Sequence, residues 1–166
     1  MASTQLNGNP VSLAGNFPGK GTPVKHFTAI QQDLSEFSLG SLKGKRVVLN
    51  IFPSIDTPVC ATSVRKFNEQ AAGLENTTVV CLSFDLPFAH KRFCGAEGIE
   101  DVITASLFRN TEFAKDYGVL IQDGPLAGLT ARAVIVVDET GVVSHAQLVG
   151  DITQEPDYEA AISALS

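Results

Sequence analysis

Two short runs, VVLNIF at 47–52 and TVVCLSF at 78–84, constrain this chain more than any other feature. Both are largely apolar and rich in β-branched side chains, the pattern of strands covered on both faces. Between them Val64, Phe67, Ala71 and Leu74 recur at helical spacing, Arg65, Lys66, Asn68 and Glu69 fall on the other side, and Gly73 sits near the end. That periodicity predicts an amphipathic helix crossing from the first strand to the second. A strand, a crossover helix and a second buried strand form a parallel pair at the centre of a sheet.

The remaining segments add to this unit. TQL and VSL flank NGNP, whose Asn and Gly tolerate positive φ, so an N-terminal hairpin is expected, followed by the Gly/Pro-rich connection AGNFPGKGTP. PFAHKRFCGAEG at 87–98 reads as a short helix halted by Gly95, and FRNTEFAKDYG at 108–118 as another. AVIVVD and VVSHAQL, joined by DETG, read as paired strands. Tyr158, Ala161, Ile162 and Leu165 form a last helical stripe after Pro156. The order of elements predicts an α/β fold, a central mixed β-sheet with helices on both faces. At 166 residues the chain fits one domain, spanning residues 1–166.

Charge narrows the partners. Twelve Lys and Arg against eighteen Asp and Glu leave a net charge of −6, which repels nucleic acid and anionic membranes. No uncharged apolar run approaches the roughly 18 residues of a membrane span, and MASTQLNGNPVSL has neither the basic nor the apolar region of an export signal. Three cysteines are too few, and odd in number, for a secreted disulfide framework, so the reading is free thiols in a reducing compartment, the cytoplasm. His26, His90 and His145 are scattered and form no zinc-binding set, and GKG at 19–21 lacks the spacing of a phosphate loop. No cofactor or metal is called for.

The stretch PSIDTPVC, 53–60, joins the first strand to the crossover helix. With Thr57 as N-cap and Pro58 at N1, Cys60 falls at N3. Its sulfur then meets the unpaired N–H groups and the positive end of the helix dipole, a setting in which thiols ionise readily. Asp56 works against a second anion and requires a cation to offset it. Most free cysteines are small buried hydrophobes, but a capped first turn at the C-terminal end of a strand is where sites in such sheets lie, which favours a functional Cys60. Cys81, inside TVVCLSF, reads as core filler. Arg132 stands at the start of AVIVVD; on its residues alone, a surface salt bridge and a site role are equally good readings.

The pattern Pro53-x-x-x-Thr57-x-x-Cys60 resembles the active-site signature of the peroxiredoxins, and NIFPSIDTPVCATSVRKFN, RFCGAEG, DGPLAGLTARAV and EPDYEAA resemble the bacterial thiol peroxidase branch of that family. The resemblance runs over essentially the whole chain. It implies a thioredoxin-like fold, reduction of hydrogen peroxide or organic hydroperoxides with electrons from thioredoxin, and a homodimer. It also implies that Cys60 is the peroxidatic cysteine, Cys94 the resolving one, and Pro53, Thr57 and Arg132 the frame around the peroxide. Pro58 departs from the pattern, where relatives often carry a small residue such as Gly, but it suits helix position N1.

The chemistry of these residue types agrees. A thiolate attacking a peroxide O–O bond becomes a sulfenic acid, and negative charge moves from sulfur to the leaving oxygen. Arg132 offers a permanently charged fork for both, Thr57 can accept the peroxide proton or donate to sulfur, and Pro53 closes one wall against water. Sulfenic acid condenses with a nearby thiol, the task given to Cys94, whose ionisation His90, Lys91 and Arg92 could promote. A disulfide needs Cα atoms within about 7 Å, so the first turns of one or both helices are expected to unwind.

Two rivals belong to other classes. A thioredoxin-like disulfide oxidoreductase wants a second cysteine three residues on, and Cys60-Ala61-Thr62-Ser63 supplies serine; its proline before the facing strand is replaced by Thr130-Ala131-Arg132. A non-enzymic peroxide sensor would use the same Cys60–Cys94 switch but change state once, whereas a peroxidase turns over.

Overall fold

Asn7 and Gly8 take φ of 51° and 83°, the left-handed pair that lets β1 (Ser3–Leu6) fold back on β2 (Asn9–Ala14). The structure, a computed structural model, describes residues 3–71 and 73–165; residues 1, 2 and 166, the ends of the expected domain span, lie outside it. The expected hairpin is present, and β8 (Leu120–Ile121) adds a third strand through the pair Leu13↔Ile121.

The main sheet has seven strands in the order β10-β9-β5-β6-β7-β3-β4. At its centre β5 (Arg46–Ile51) runs parallel to β6 (Thr77–Ser83), with Val48 opposite Val79 and Asn50 opposite Cys81. β9 (Ala133–Val137) lies antiparallel on the other side of β5, placing Ala133 opposite Ile51, and β10 (Val143–Leu148) closes that edge. β7 (Ile103–Ser106) continues the parallel run from β6, and β3 (Thr28–Gln31) and β4 (Glu36–Ser38) complete the opposite edge.

The sheet's alternation divides the core in two. Val47, Leu49 and Ile51 face a cluster with the hairpin residues Val11 and Leu13 and with Phe113 of α3 (Phe113–Asp116). Val48, Val79, Cys81, Val134 and Val136 face the opposite cluster. There they meet Cys60, Val64 and Phe67 of α1 (Pro58–Gln70), Phe93 and Cys94 of α2 (Pro87–Glu97), and Ala161 of α4 (Tyr158–Ser163). Period-two alternation with both faces apolar is what the continuous hydrophobic runs demanded.

Three boundaries differ from expectation. α1 ends at Gln70, so Leu74 leaves the stripe and is 40% exposed, in a turn where its N–H donates to the Ala71 carbonyl. Gly95 does not halt α2, which continues to Glu97 and ends at Gly98 in the left-handed conformation, φ 65°. A helical glycine costs about 1 kcal/mol without ending the helix; the left-handed glycine after it supplies the stop. Of the helix expected over 108–118 only Phe113–Asp116 forms, because Asn110 Oδ1 accepts from the Glu112 and Phe113 N–H groups and starts the turn late.

Candidate active site

β5 delivers the chain through buried Phe52 and Pro53 into a tight loop. The Ser54 carbonyl accepts from the Thr57 N–H at 3.2 Å and from Thr57 Oγ1 at 2.9 Å. Thr57 is extended, φ −99° and ψ 146°, and occupies the N-cap with Pro58 following, as the spacing predicts. Its hydroxyl, though, is spent on Ser54 and caps no N–H of α1. Thr57 is thereby held with its oxygen lone pairs as the free function.

Cys60 follows at N3, with 0% exposure. A polar relay anchors its turn to the sheet: Asn50 Nδ2 donates to Ser63 Oγ at 3.2 Å, and Ser63 Oγ donates to the Cys60 carbonyl at 2.7 Å. Both side chains are wholly buried, so the hydrogen bonds are needed to offset their desolvation. Sequence reasoning passed over this pair. Its signal was a polar Asn50 inside VVLNIF, an anomaly in a buried strand.

Arg132 stands immediately before β9 and is 2% exposed. Its Nη2 lies 3.2 Å from Cys60 Sγ and its Nε donates to the Ile152 carbonyl at 2.9 Å. Nη1 is buried with no partner among the described residues. A guanidinium almost never enters a core unless its charge is answered; here it lies against the cysteine sulfur rather than in a surface salt bridge. Thr130, also fully buried, ties the same segment to β5 by donating to the Phe52 carbonyl at 2.7 Å. Tyr158, at the start of α4, packs edge-on against Phe67 and donates to Glu155 Oε1 at 2.9 Å. Burial raises its phenol above the ordinary range, with Arg132 and Cys60 both close enough to act on it.

The carboxylate that opposed an anion at Cys60 is answered from outside. Asp56 pairs with Arg92 of α2, both side chains more than half exposed. Arg92 therefore serves the Cys60 loop and not Cys94, and His90 turns to Ser83 Oγ, 2.9 Å away. That revises the expected role of these two residues. Cys94 sits in the last turns of α2 rather than in the first, 4% exposed, and burial pushes its thiol up while hydrogen bonds from Thr104 and Gln32 pull it back. Gln32 Nε2 in turn donates to Thr104 Oγ1 at 2.6 Å.

Cys60, Cys81 and Cys94 are all free thiols and share one core cluster. Cys81, on β6, has 0% exposure and its thiol is pushed up to about 12 by burial, a core residue by its surroundings. Among the described residues no group of three His, Cys, Asp or Glu is placed to hold a metal, and no helix is long and apolar enough to cross a membrane.

The chain has similar counterparts among known proteins. The chain is 54% identical over 166 residues to a thiol peroxidase of Corynebacterium glutamicum, covering 100% of both, and 54% identical over 165 residues to a thiol peroxidase of Mycobacterium bovis, covering 99% of both. Its fold matches the crystal structure of a peroxiredoxin-like protein from Aquifex aeolicus with a TM-score of 0.94 at 42% identity, over 99% of this chain and 96% of that one. A thiol peroxidase from Chromobacterium violaceum, 22% identical, shares the fold with a TM-score of 0.90 over 99% and 96% of the two chains. The Redoxin family model matches residues 19–162. With that match and full-length relatives at 54% identity, the chain belongs to the Redoxin family.

Proposed function

We propose that this chain is a thiol-dependent peroxidase in which Cys60 is oxidised by peroxide, Cys94 closes a disulfide with it, and a thioredoxin-type reductant restores both. The observation that carries the reading is the contact of Arg132 Nη2 with Cys60 Sγ at 3.2 Å, both groups buried. A fixed cation against a sulfur stabilises negative charge there and on the oxygen that departs. The unpartnered Nη1 is a second donor from the same fork, suited to a peroxide oxygen.

The steps balance. The Cys60 sulfur attacks the terminal peroxide oxygen, the O–O bond breaks, and an alcohol or water leaves with a proton as Cys60 becomes a sulfenic acid. Thr57 Oγ1, which donates its own hydrogen to the Ser54 carbonyl, accepts a hydrogen bond from the incoming peroxide, whose hydrogen stays on the oxygen transferred to sulfur. Buried Pro53 keeps water from the site. The Cys94 thiol then displaces the sulfenic oxygen as water. Because both sulfurs are locked in helical backbone, α2 unwinds to deliver Cys94. A dithiol reductant returns two electrons and frees both cysteines. Residues 1–166 act as one catalytic domain, two copies pairing as a homodimer. Three free thiols suit the reducing cytoplasm.

One equivalent of hydrogen peroxide followed by mass spectrometry tests this. Wild type is expected to lose two hydrogens and yield a Cys60–Cys94 crosslinked peptide, while Cys94→Ser gains one oxygen at Cys60. Oxidation confined to any other residue overturns the assignment. Sustained peroxide consumption with thioredoxin and its reductase separates an enzyme from a sensor, which stops after one equivalent.

A further inference from the structure

Three side chains, Ser83 of β6, Asp85 in the turn after it and His90 of α2, lie outside the chemistry just described and form a connected polar cluster. Asp85, with its side chain 11% exposed, accepts at Oδ1 from Ser54 Oγ at 2.7 Å and at Oδ2 from the Ile55 N–H at 2.7 Å. Oδ2 also accepts from Ser83 Oγ at 2.5 Å. Ser83 and His90 are wholly buried, and His90 Nε2 lies 2.9 Å from Ser83 Oγ and 3.8 Å from Asp85 Oδ2. Since the Ser83 proton goes to the carboxylate, the bridge from α2 is made by His90 Nε2–H donating to Ser83 Oγ, which leaves the buried Nδ1 as an unpartnered lone pair.

The loop end of this chain reaches the site. Ser54, held by Asp85, is the residue whose carbonyl takes both donors of Thr57 and whose hydroxyl accepts from the Asp56 N–H at 3.2 Å. The other end, His90, lies one turn before Cys94 on α2. We propose that Asp85 and His90 are positioning residues that tether the Cys60 loop and the Cys94 helix to one carboxylate, and that the His90 link sets how long oxidised Cys60 waits for Cys94. This rests on the peroxidase reading above.

The wait has a chemical consequence. Condensation forms the S–S bond, breaks the sulfenic S–O bond and releases water. If a second peroxide arrives first, it transfers its terminal oxygen to the sulfenic sulfur, giving sulfinic acid and an alcohol or water. A helix held to the loop delays condensation; the same hold on the loop keeps Thr57 in place for the first step.

Rapid quenching after mixing with hydrogen peroxide, with mass spectrometric counting of thiol, trapped sulfenic acid, disulfide and sulfinic acid, separates the steps. His90→Leu removes the donor and is expected to speed condensation about fivefold, the effect of one hydrogen bond on a barrier, with the peroxide step within about twofold of wild type. Sulfinic acid at excess peroxide falls accordingly. His90→Gln, which places a donor where Nε2 stood, restores the wild-type partition. Asp85→Asn slows the peroxide step about tenfold, since a carboxylate acceptor is replaced by a donor facing Ser54 or Ile55. Ser83→Ala cuts the same bridge but also removes a donor to Asp85, so if His90→Leu does not fold only its condensation rate is read, and that is expected to rise as in His90→Leu. Equal partition in His90→Leu and His90→Gln, slower condensation in His90→Leu, or an unchanged peroxide step in Asp85→Asn overturns the proposal. A wild type that forms neither sulfenic acid nor disulfide overturns the peroxidase reading instead.

Discussion

Cys60 and Cys94 belong to one core cluster, each on a helix packed against the same sheet, and their surroundings differ in kind. Around Cys60 the frame is tied down: a fully buried relay from Asn50 through Ser63 to its carbonyl, a loop pinned by Asp85, and a guanidinium whose Nε donates to the Ile152 carbonyl. Around Cys94 the thiol meets neutral partners, Thr104 and Gln32, and burial favours its protonated form. α2 exposes Phe88 at 64%, with Leu86 just before it at 51%, and carries Gly95 in its last turns. On the proposed mechanism the difference has a purpose: the thiol that reacts is given a rigid charged frame, and the thiol that must travel a helix that opens at modest cost.

The largest effect separates the two cysteines outright. Cys60→Ser is expected to abolish peroxide reduction, a loss of more than about a thousandfold, whereas Cys94→Ser keeps the first oxidation and loses only thioredoxin-dependent turnover; stopped-flow peroxide consumption reads both. If Cys94→Ser slows the first oxidation as severely, the division of labour is wrong. Arg132→Lys comes next. A lysine cannot hold the Ile152 carbonyl and face Cys60 Sγ with separate donors, so the peroxide step is expected to fall by about a hundred- to a thousandfold, with thioredoxin reduction of the preformed disulfide little changed.

Stability sharpens the contrast between the helices. Phe67, with 0% exposure and packed edge-on against Tyr158, anchors α1; Phe67→Ala should cost about 3–5 kcal/mol by chemical denaturation. Phe88→Ala, on exposed α2 surface, should cost less than about 0.5 kcal/mol. Similar losses at both would contradict a rigid α1 and a loosely held α2.

The smallest effect is a pH dependence. Burial holds His90 below the ordinary imidazole range, although Asp85 and Asp56 pull it upward, and burial acts on His145 in the same direction. The unfolded chain therefore binds protons more readily, and stability contributed by neutral His90 is complete above the unfolded value of about 6.5 and declines as pH falls below it. Denaturation midpoints between pH 7.5 and pH 5.5, chosen to bracket that value, should fall in wild type and fall less in His90→Gln.

Much of this arrangement was legible in the sequence. The runs at 47–52 and 78–84 fixed a parallel centre because burial on both faces leaves a continuous apolar signature, and Thr57-Pro58 marked the start of α1 because proline fits only where an N–H is dispensable. The contact of Arg132 with Cys60 was open on residues alone, since nothing local distinguishes a buried guanidinium from a surface one. β3, β4, β7 and β8 escaped because segments of two to four residues carry too little periodicity. Asp85 escaped for a different reason: an acidic residue after a strand reads as a solvated turn, and only the fold brings Ser54 and Ile55 onto its carboxylate.

Hydrogen–deuterium exchange on the reduced protein and on its peroxide-oxidised disulfide form tests most directly whether α2 moves while the Cys60 frame stays. The account predicts that amides across 87–97 lose protection on oxidation while those of β5 and β6 keep theirs. Equal protection of α2 in both states, in a sample whose Cys60–Cys94 bond is verified by mass, would contradict it.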